Sequence, residues 1–133
     1  MRLLAAQRAR LVTVGHGRDE RSTATAEAFV AAWTDAGGTI AAVVDWPETA
    51  ASWLRQARRF VRDAPDAWVV ASGPTGFGQL ARRLRAEPGW DPDRTYGFAA
   101  LASHQLLDVA EGVRGATATG ETWRIHRGWI SIR

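Results

Sequence analysis

A chain of 133 residues with 46% hydrophobic and 23% charged residues is sized for one domain with a real core, and no apolar run approaches the roughly 18 residues that span a bilayer as a helix. The absence of cysteine excludes disulfides, thiolate catalysis and cysteine-ligated zinc. The net charge of +3 is carried by arginine alone, since the chain contains no lysine; nucleic-acid binding would need those arginines gathered on one face with aromatics between them.

The amino-terminal MRLLAAQRAR has neither a hydrophobic signal core nor a small-residue cleavage site, so the expectation for the chain is cytoplasmic. RLVTV (Arg10 to Val14) then reads as a strand. It leads into VGHGRDERS, where His16 sits between two glycines ahead of a burst of charge. The next segment repeats Ala26, Phe29, Val30 and Trp33 at helical spacing, with Ser22 or Thr23 as the cap and Gly37-Gly38 as the stop. IAAVV (Ile40 to Val44) is a second strand, and its helix places Leu54, Ala57 and Val61 on one stripe beside Trp53 and Phe60, ending at Pro65. Arg55, Arg58, Arg59 and Arg62 oppose that stripe, as a solvated face does. AWVVA (Ala67 to Ala71) is a third strand, followed by a helix with Phe77, Leu80, Ala81 and Leu84 inward; TYGFAA (Thr95 to Ala100) is a fourth, followed by a short helix capped by Ser103 and holding Leu106, Leu107 and Ala110. VRGATAT (Val113 to Thr119) supplies a fifth strand, and ETWRIHRGWISIR reads as a hairpin turning near His126 to Gly128, or as an extended tail.

Strands that are almost continuously apolar belong to parallel sheets covered on both faces. The spacing of about one β-α unit per 28 residues suits right-handed crossovers. The expected fold is therefore a three-layer, doubly wound α/β sandwich with five parallel strands in the order 2-1-3-4-5. Residues 1–119 form one Rossmann-like domain, and 120–133 are its terminal hairpin or tail.

In such a sheet, ligands bind outside the carboxyl ends of the strands, where connections diverge to opposite faces. The strand-end residues nominated by that rule are His16, Arg18 and Asp19, then Asp45 and Trp46, then Ser72, Gly73 and Thr75, and Ser103, with His16 and Ser72 as neighbours. SGPTGFG reads either as a tight strand-to-helix turn or as a glycine-rich anion cradle, without the Lys and Ser/Thr of a P-loop. A Ser-His-Asp triad is disfavoured because Val70 stands where a nucleophile elbow needs glycine, and the three histidines share no metal-binding spacing. His16 is expected to be a polar loop residue, solvated or bonded to Asp19. Trp46 is either a wall for a planar or apolar ligand or a residue packed on helix ends. No catalytic residue, metal or cofactor is expected.

The order of pieces, VGHGRDERSTATAEAFVAAWTDAGGTI, PETAASWLRQARRFVRDAPDAWVVAS and YGFAALASHQLLDVAEGVRGATAT, resembles one lobe of the type I periplasmic binding proteins, in particular the branched-chain amino acid receptors of ABC transporters. The likeness runs over residues 11 to 119. It implies a parallel sheet flanked by helices and a protein that binds a small, amino-acid-like molecule without reacting. It also implies ligand contacts at His16 to Asp19 with Ser22, at Ser72, Gly73 and Thr75, and at Ala102 and Ser103. A second resemblance, of AWVVASGPTGFGQLARRLRAE to the NAD(P)-binding module of ferredoxin-reductase-like flavoenzymes, covers residues 67 to 98 and implies a redox module instead. Nucleic acid and membrane are not expected partners. A homodimer is, because Trp46, Trp90 and Trp129 fall where one lobe has difficulty burying them, whereas Trp33, Trp53, Trp68 and Trp123 suit its core.

Overall fold

The computed structural model describes residues 2–133; Met1, the first residue of the expected domain, lies outside them. The chain runs α1 (Arg2–Gln7), β1 (Leu11–Gly17), α2 (Glu20–Asp35), β2 (Thr39–Trp46), α3 (Leu54–Val61), β3 (Ala67–Ala71), α4 (Pro74–Leu84), β4 (Thr95–Gly97), β5 (Arg114–Ala116), β6 (Thr122–His126) and β7 (Trp129–Ile132). One seven-stranded sheet has the order β2-β1-β3-β4-β5-β6-β7. Its first five strands are parallel, in the expected order, while β6 and β7 pair antiparallel and continue the same sheet. The strand count is thus seven rather than five. The terminal segment is a hairpin and not a loose tail, because Gly128 adopts φ +83° and lets Arg127-Gly128 close a two-residue turn.

Alternate residues of the strands feed two cores. Val12, Val14, Val69, Ala71 and Tyr96 pack with Leu4 of α1 and with Ala26, Phe29 and Trp33 of α2. Val44, Trp46, Trp68 and Val70 point the other way, into Ala57 and Phe60 of α3 and Phe77, Leu80 and Leu84 of α4. Both faces are therefore sealed over the central strands, which is why β3 is buried at all five positions and reads as an unbroken apolar run.

Local chemistry sets the helix ends, and some differ from expectation. The cap of α2 is Asp19, three residues ahead of Ser22: its carboxylate accepts the Ser22 N–H at 3.0 Å. The helix stops where Gly37 turns to φ +91° and the Gly38 N–H returns to the Trp33 carbonyl. In α3 the inward face is Trp53, Ala57 and Phe60, with Leu54 and Val61 half-buried at its flanks. β1 extends beyond Val14 to Gly17, and β4 stops at Gly97 rather than Ala100. The helix expected after β4 is replaced by two 3-10 turns, Ala99–Leu101 and His104–Leu106. Ser103 stands between them in extended conformation and accepts the Gln105 N–H, so it caps the second turn and interrupts any longer helix. Leu106 and Ala110 are nevertheless fully buried. The amino-terminal α1 was not anticipated; it is six residues long, buries Leu4 and is bonded through Gln7 to the Tyr96 hydroxyl.

Asp66 fastens the entry to the central strand: its carboxylate accepts the N–H groups of Leu11 and Arg10, each at 2.9 Å. The bond from Leu11, then that from Arg10, holds the Asp66 carboxyl below its ordinary value of 3.8. A group whose folded pKa is depressed contributes stability above its unfolded pKa and loses it as pH falls through the folded value. Asp66→Ala should therefore cost about 1 kcal/mol at pH 7, and the deficit should shrink once the pH falls below the ordinary carboxylate range, where the folded-state carboxyl takes up its proton. Urea unfolding at pH 7 and across the acid range checks this; a deficit that does not change with pH would mean that the carboxylate charge plays no part.

Candidate functional site

A cleft of about 1100 Å³ opens at the carboxyl ends of the parallel strands and continues along the α2 side of the sheet over β3, β4 and β5. Its floor at the strand ends is Gly17, Trp46, Ser72 and Gly73; its apolar flank is Phe29, Val69, Tyr96 and Phe98, with Leu3 and Leu4 of α1 closing one end. Charge enters at the rim through Arg2, Arg18, Arg21, Asp19 and Glu48. Such a lining, mostly apolar with a few polar groups at one end, is that of a small-molecule site.

Trp46 is the last residue of β2, and its side chain is fully buried. The indole lies across Gly15 of β1 and against Gly76 of α4: a methyl group on Gly15 would come within 2.5 Å of the Trp46 ring, and one on Gly76 within 3.2 Å. Phe60 meets its edge and Phe77 tilts against it, each with ring centroids 6.2 Å away. Its Nε1–H donates to Ser72 Oγ at 3.2 Å, and the Ser72 hydroxyl donates to the Gly73 carbonyl at 2.8 Å. Of the two alternatives for Trp46, packing on helices is the one the structure shows: the ring is 0% exposed and supports the cleft floor from beneath. Ser72 is committed to these bonds, and Gly73 caps α4 through its extended backbone, with Pro74 at the first helical position. SGPTGFG is accordingly a tight strand-to-helix turn.

Of the nominated residues, Arg18, Asp19, Ser22, Trp46, Ser72 and Gly73 come together on the cleft. The other four, and Ala102, which the resemblance also implied, do not line it. His16 is a residue of β1, opposite Asp45 on one side and Ala71 on the other, which makes it the neighbour of Ser72 as expected. It is not a loop residue, and its Nδ1 bonds the Gly17 carbonyl at 2.6 Å rather than Asp19. Asp45 pairs with Arg18 at 3.0 Å on the rim outside the cleft. Thr75 bonds Gln105, and Ser103 caps its 3-10 turn. Hydrogen bonds from Ser22, side chain and then backbone, hold the Asp19 carboxyl below its ordinary 3.8, so it stays ionised at the start of α2. Phe98, Ala99, Thr117 and Ala118 on the β4 and β5 ends also line the cleft and escaped the sequence reading. Gly97 was the available signal for Phe98: a glycine inside TYGFAA marks where that strand yields to the turn, placing its end loop three residues earlier.

The expected dimer rested on tryptophans, and two of the three no longer serve it. Trp46 is 0% exposed, and Trp90 is half-buried with its Nε1–H donated to Thr95 Oγ1 at 2.9 Å. Trp129 is 55% exposed.

The chain folds as one lobe of a type I periplasmic binding protein, as the resemblance implied. It is similar to an extracellular ligand-binding receptor from Rhodopseudomonas palustris, with 19% identity and a TM-score of 0.77 over 87% of this chain and 33% of the other. A protein from Rhodospirillum rubrum assigned as a branched-chain amino acid ABC transporter matches with 26% identity and a TM-score of 0.77, over 88% of this chain and 34% of the other. A leucine binding protein from Thermotoga maritima matches with 16% identity and a TM-score of 0.71, over 84% and 33% respectively. The chain therefore spans about a third of the length of the structures it matches. No family model and no curated protein sequence matches it. Cytoplasmic residence does not stand: proteins with this fold are described as extracellular receptors and, from Ralstonia solanacearum, as a periplasmic substrate-binding protein.

The bond between Trp46 and Ser72 is open to test. Ser72→Ala leaves a buried indole N–H without its partner and should cost about 1–3 kcal/mol. In the Trp46→Phe background the same change should cost under about 0.5 kcal/mol. Equal costs in both backgrounds, measured by chemical denaturation, would show that the bond does not hold the floor of the cleft.

Proposed function

We propose that this chain is a non-enzymatic binding lobe that takes a small, amino-acid-like molecule at the carboxyl ends of β1, β3 and β4. The observation that carries this is the cleft itself: apolar along Phe29, Tyr96 and Phe98, polar at Arg18, Asp19, Ser22 and the Ser72-Gly73 turn, at the place where an open parallel sheet binds ligands. An apolar side chain fits the flank. A carboxylate fits the arginines at the rim, and an ammonium group the Asp19 and Glu48 carboxylates. The proteins sharing the fold, named for leucine and for branched-chain amino acids, support this class of ligand. His16, Asp45, Thr75 and Ser103 belong to the surrounding frame in this reading. The nucleotide-module alternative loses its main support, since SGPTGFG is bound up in holding Trp46 and capping α4.

A periplasmic setting accords with the receptors of the same fold. The cleft is open on one side, and a second lobe facing the strand ends supplies the other wall, since tight small-molecule sites bury most of the ligand surface. That lobe belongs to a longer chain or to a second copy; a copy would use the exposed Trp129 and Ile132 beside the β7 edge.

Titration of leucine, isoleucine, valine and phenylalanine, followed by tryptophan fluorescence and calorimetry, tests the ligand class. Binding is expected, with at least a tenfold loss in Arg18→Ala/Arg21→Ala, corresponding to about 1.4 kcal/mol. Binding of NADPH or FMN in preference to every amino acid would overturn the proposal. Light scattering separates the sources of the second wall: about twice the 14.5 kDa chain mass assigns it to a second copy, and Trp129→Ser should then restore the single-chain mass.

A further inference from the structure

Away from the cleft, the outward face of α3 carries Arg55, Arg58, Arg59 and Arg62 around a shallow groove of about 490 Å³ that also includes Ser52 and Leu54. Among the described residues, every ion pair is formed by other arginines, at Arg18, Arg83, Arg94, Arg114 and Arg124. Arg59 reaches a neutral partner, donating to the Val43 carbonyl on the β2 edge at 3.5 Å. The remaining three are exposed.

This row works against the helix that bears it. Residues three and four apart on a helix are neighbours, so the spacing creates four like-charge pairs: 55 with 58, 55 with 59, 58 with 62, and 59 with 62. The negative end of the helix dipole favours Arg58 and Arg59, which stand in the last turn, and Arg62 just past it. It cannot account for Arg55, whose cation sits in the first turn, against the positive end. The helix is only eight residues long, and at its start Trp53 supplies no cap, the Leu54 N–H being met only by the Ser52 hydroxyl at 3.3 Å, so it has little local stability to spare. The cost at Arg55, which neither the dipole nor any ion pair among the described residues offsets, marks a surface whose compensation lies outside the fold.

The chemistry of the face selects the partner. Phe60 of this helix and Trp53 just before it are turned into the core, which leaves no aromatic for stacking on bases and only the half-buried Leu54 as an apolar side chain in the groove, too little to insert into a lipid interface. What remains is four guanidinium groups along about 10.5 Å of helix, suited to bidentate pairing with carboxylates. We propose that the outer face of α3 docks an acidic protein segment, in which Asp or Glu residues recur at helical spacing and meet the arginine row. This surface shares no residue with the cleft, so the proposal is independent of the ligand-binding reading.

The probe is a labelled alanine-based helical peptide with glutamates at i, i+3, i+4 and i+7, compared by fluorescence anisotropy with an isomer that spreads the same glutamates around the helix. Binding is expected at 20 mM salt, weakened about tenfold or more at 150 mM by screening, with the striped peptide at least fivefold tighter than its isomer. Arg55→Glu/Arg58→Glu should abolish it. Arg55→Gln/Arg58→Gln should weaken it about tenfold, with an unchanged circular dichroism spectrum vouching for the fold. Equal binding by the isomer, equal binding by the variants, or displacement of the striped peptide by phosphatidylglycerol vesicles or duplex DNA at matched charge would overturn the proposal.

Discussion

The indole of Trp46 is the wedge on which both the packing and the cleft depend. It stands at the end of β2, crosses β1 where Gly15 leaves room, and is held between Phe60 of α3 and Phe77 of α4. Burying a ring of this size draws two crossover helices onto one face of the sheet. Its single polar atom then requires a partner in a dry interior, and Ser72 supplies it from the end of β3. One residue therefore fixes the spacing of β1, β2 and β3 at their carboxyl ends, which is the ground on which a ligand would rest. Trp68 repeats the device one layer deeper, stacking on Phe60 and donating to the Phe60 carbonyl.

The two faces of the sheet are covered unequally, and the inequality makes the cleft. Helices α3 and α4 with the 3-10 turns seal one face as far as β6, where Trp123 and Ile125 are buried. On the opposite face the sixteen-residue α2 lies over the early strands, and beyond it only the short α1 reaches Tyr96. The space over β4 and β5 is left to the cleft. Glycines keep these strands thin: a Cβ on Gly115 would strike the Gly97 carbonyl and the Trp123 ring, so β4, β5 and β6 approach closely where a bulkier sequence would hold them apart.

Much of this was legible in the chain because the central strands are buried on both faces and announce themselves as apolar runs. The helices between them repeat at 3.6 residues, and the expected order 2-1-3-4-5 is that of the five parallel strands. Legibility failed where a single side-chain bond overrides a pattern. Asp19, not Ser22, caps α2, because the chain leaves β1 only after Gly17. Ser103 divides a helical-looking segment into two turns. Trp46 falls beyond the apolar run that ends at Val44, yet pairing with β1 continues through it, and Gly15 makes the space that no pattern around Trp46 reveals. His16 misled for the related reason that two flanking glycines suggest a loop, although here glycine serves close packing rather than turning.

The nominated site residues divide by the same logic. Those that reach the cleft, Arg18, Asp19, Trp46, Ser72 and Gly73, stand at or within two residues of the ends of β1, β2 and β3, and Ser22 reaches it from the first turn of α2. Of those that do not, Thr75 lies in the first turn of α4 and Ser103 beyond the first 3-10 turn after β4. Asp45 and His16 are still within their strands. Nearness to the strand end accounts for Arg18, Asp19, Ser72 and Gly73, whereas Ser22 owes its place to the direction in which α2 leaves β1. Only the pairing partners determine where that end falls: β1 continues to Gly17 because Trp46 lies opposite, whereas β4 stops at Gly97 because β5 offers it only Arg114 and Gly115. The binding surface is in this sense a property of sheet register, and residues as distant in sequence as Arg18 and Phe98 share it through the strands that carry them.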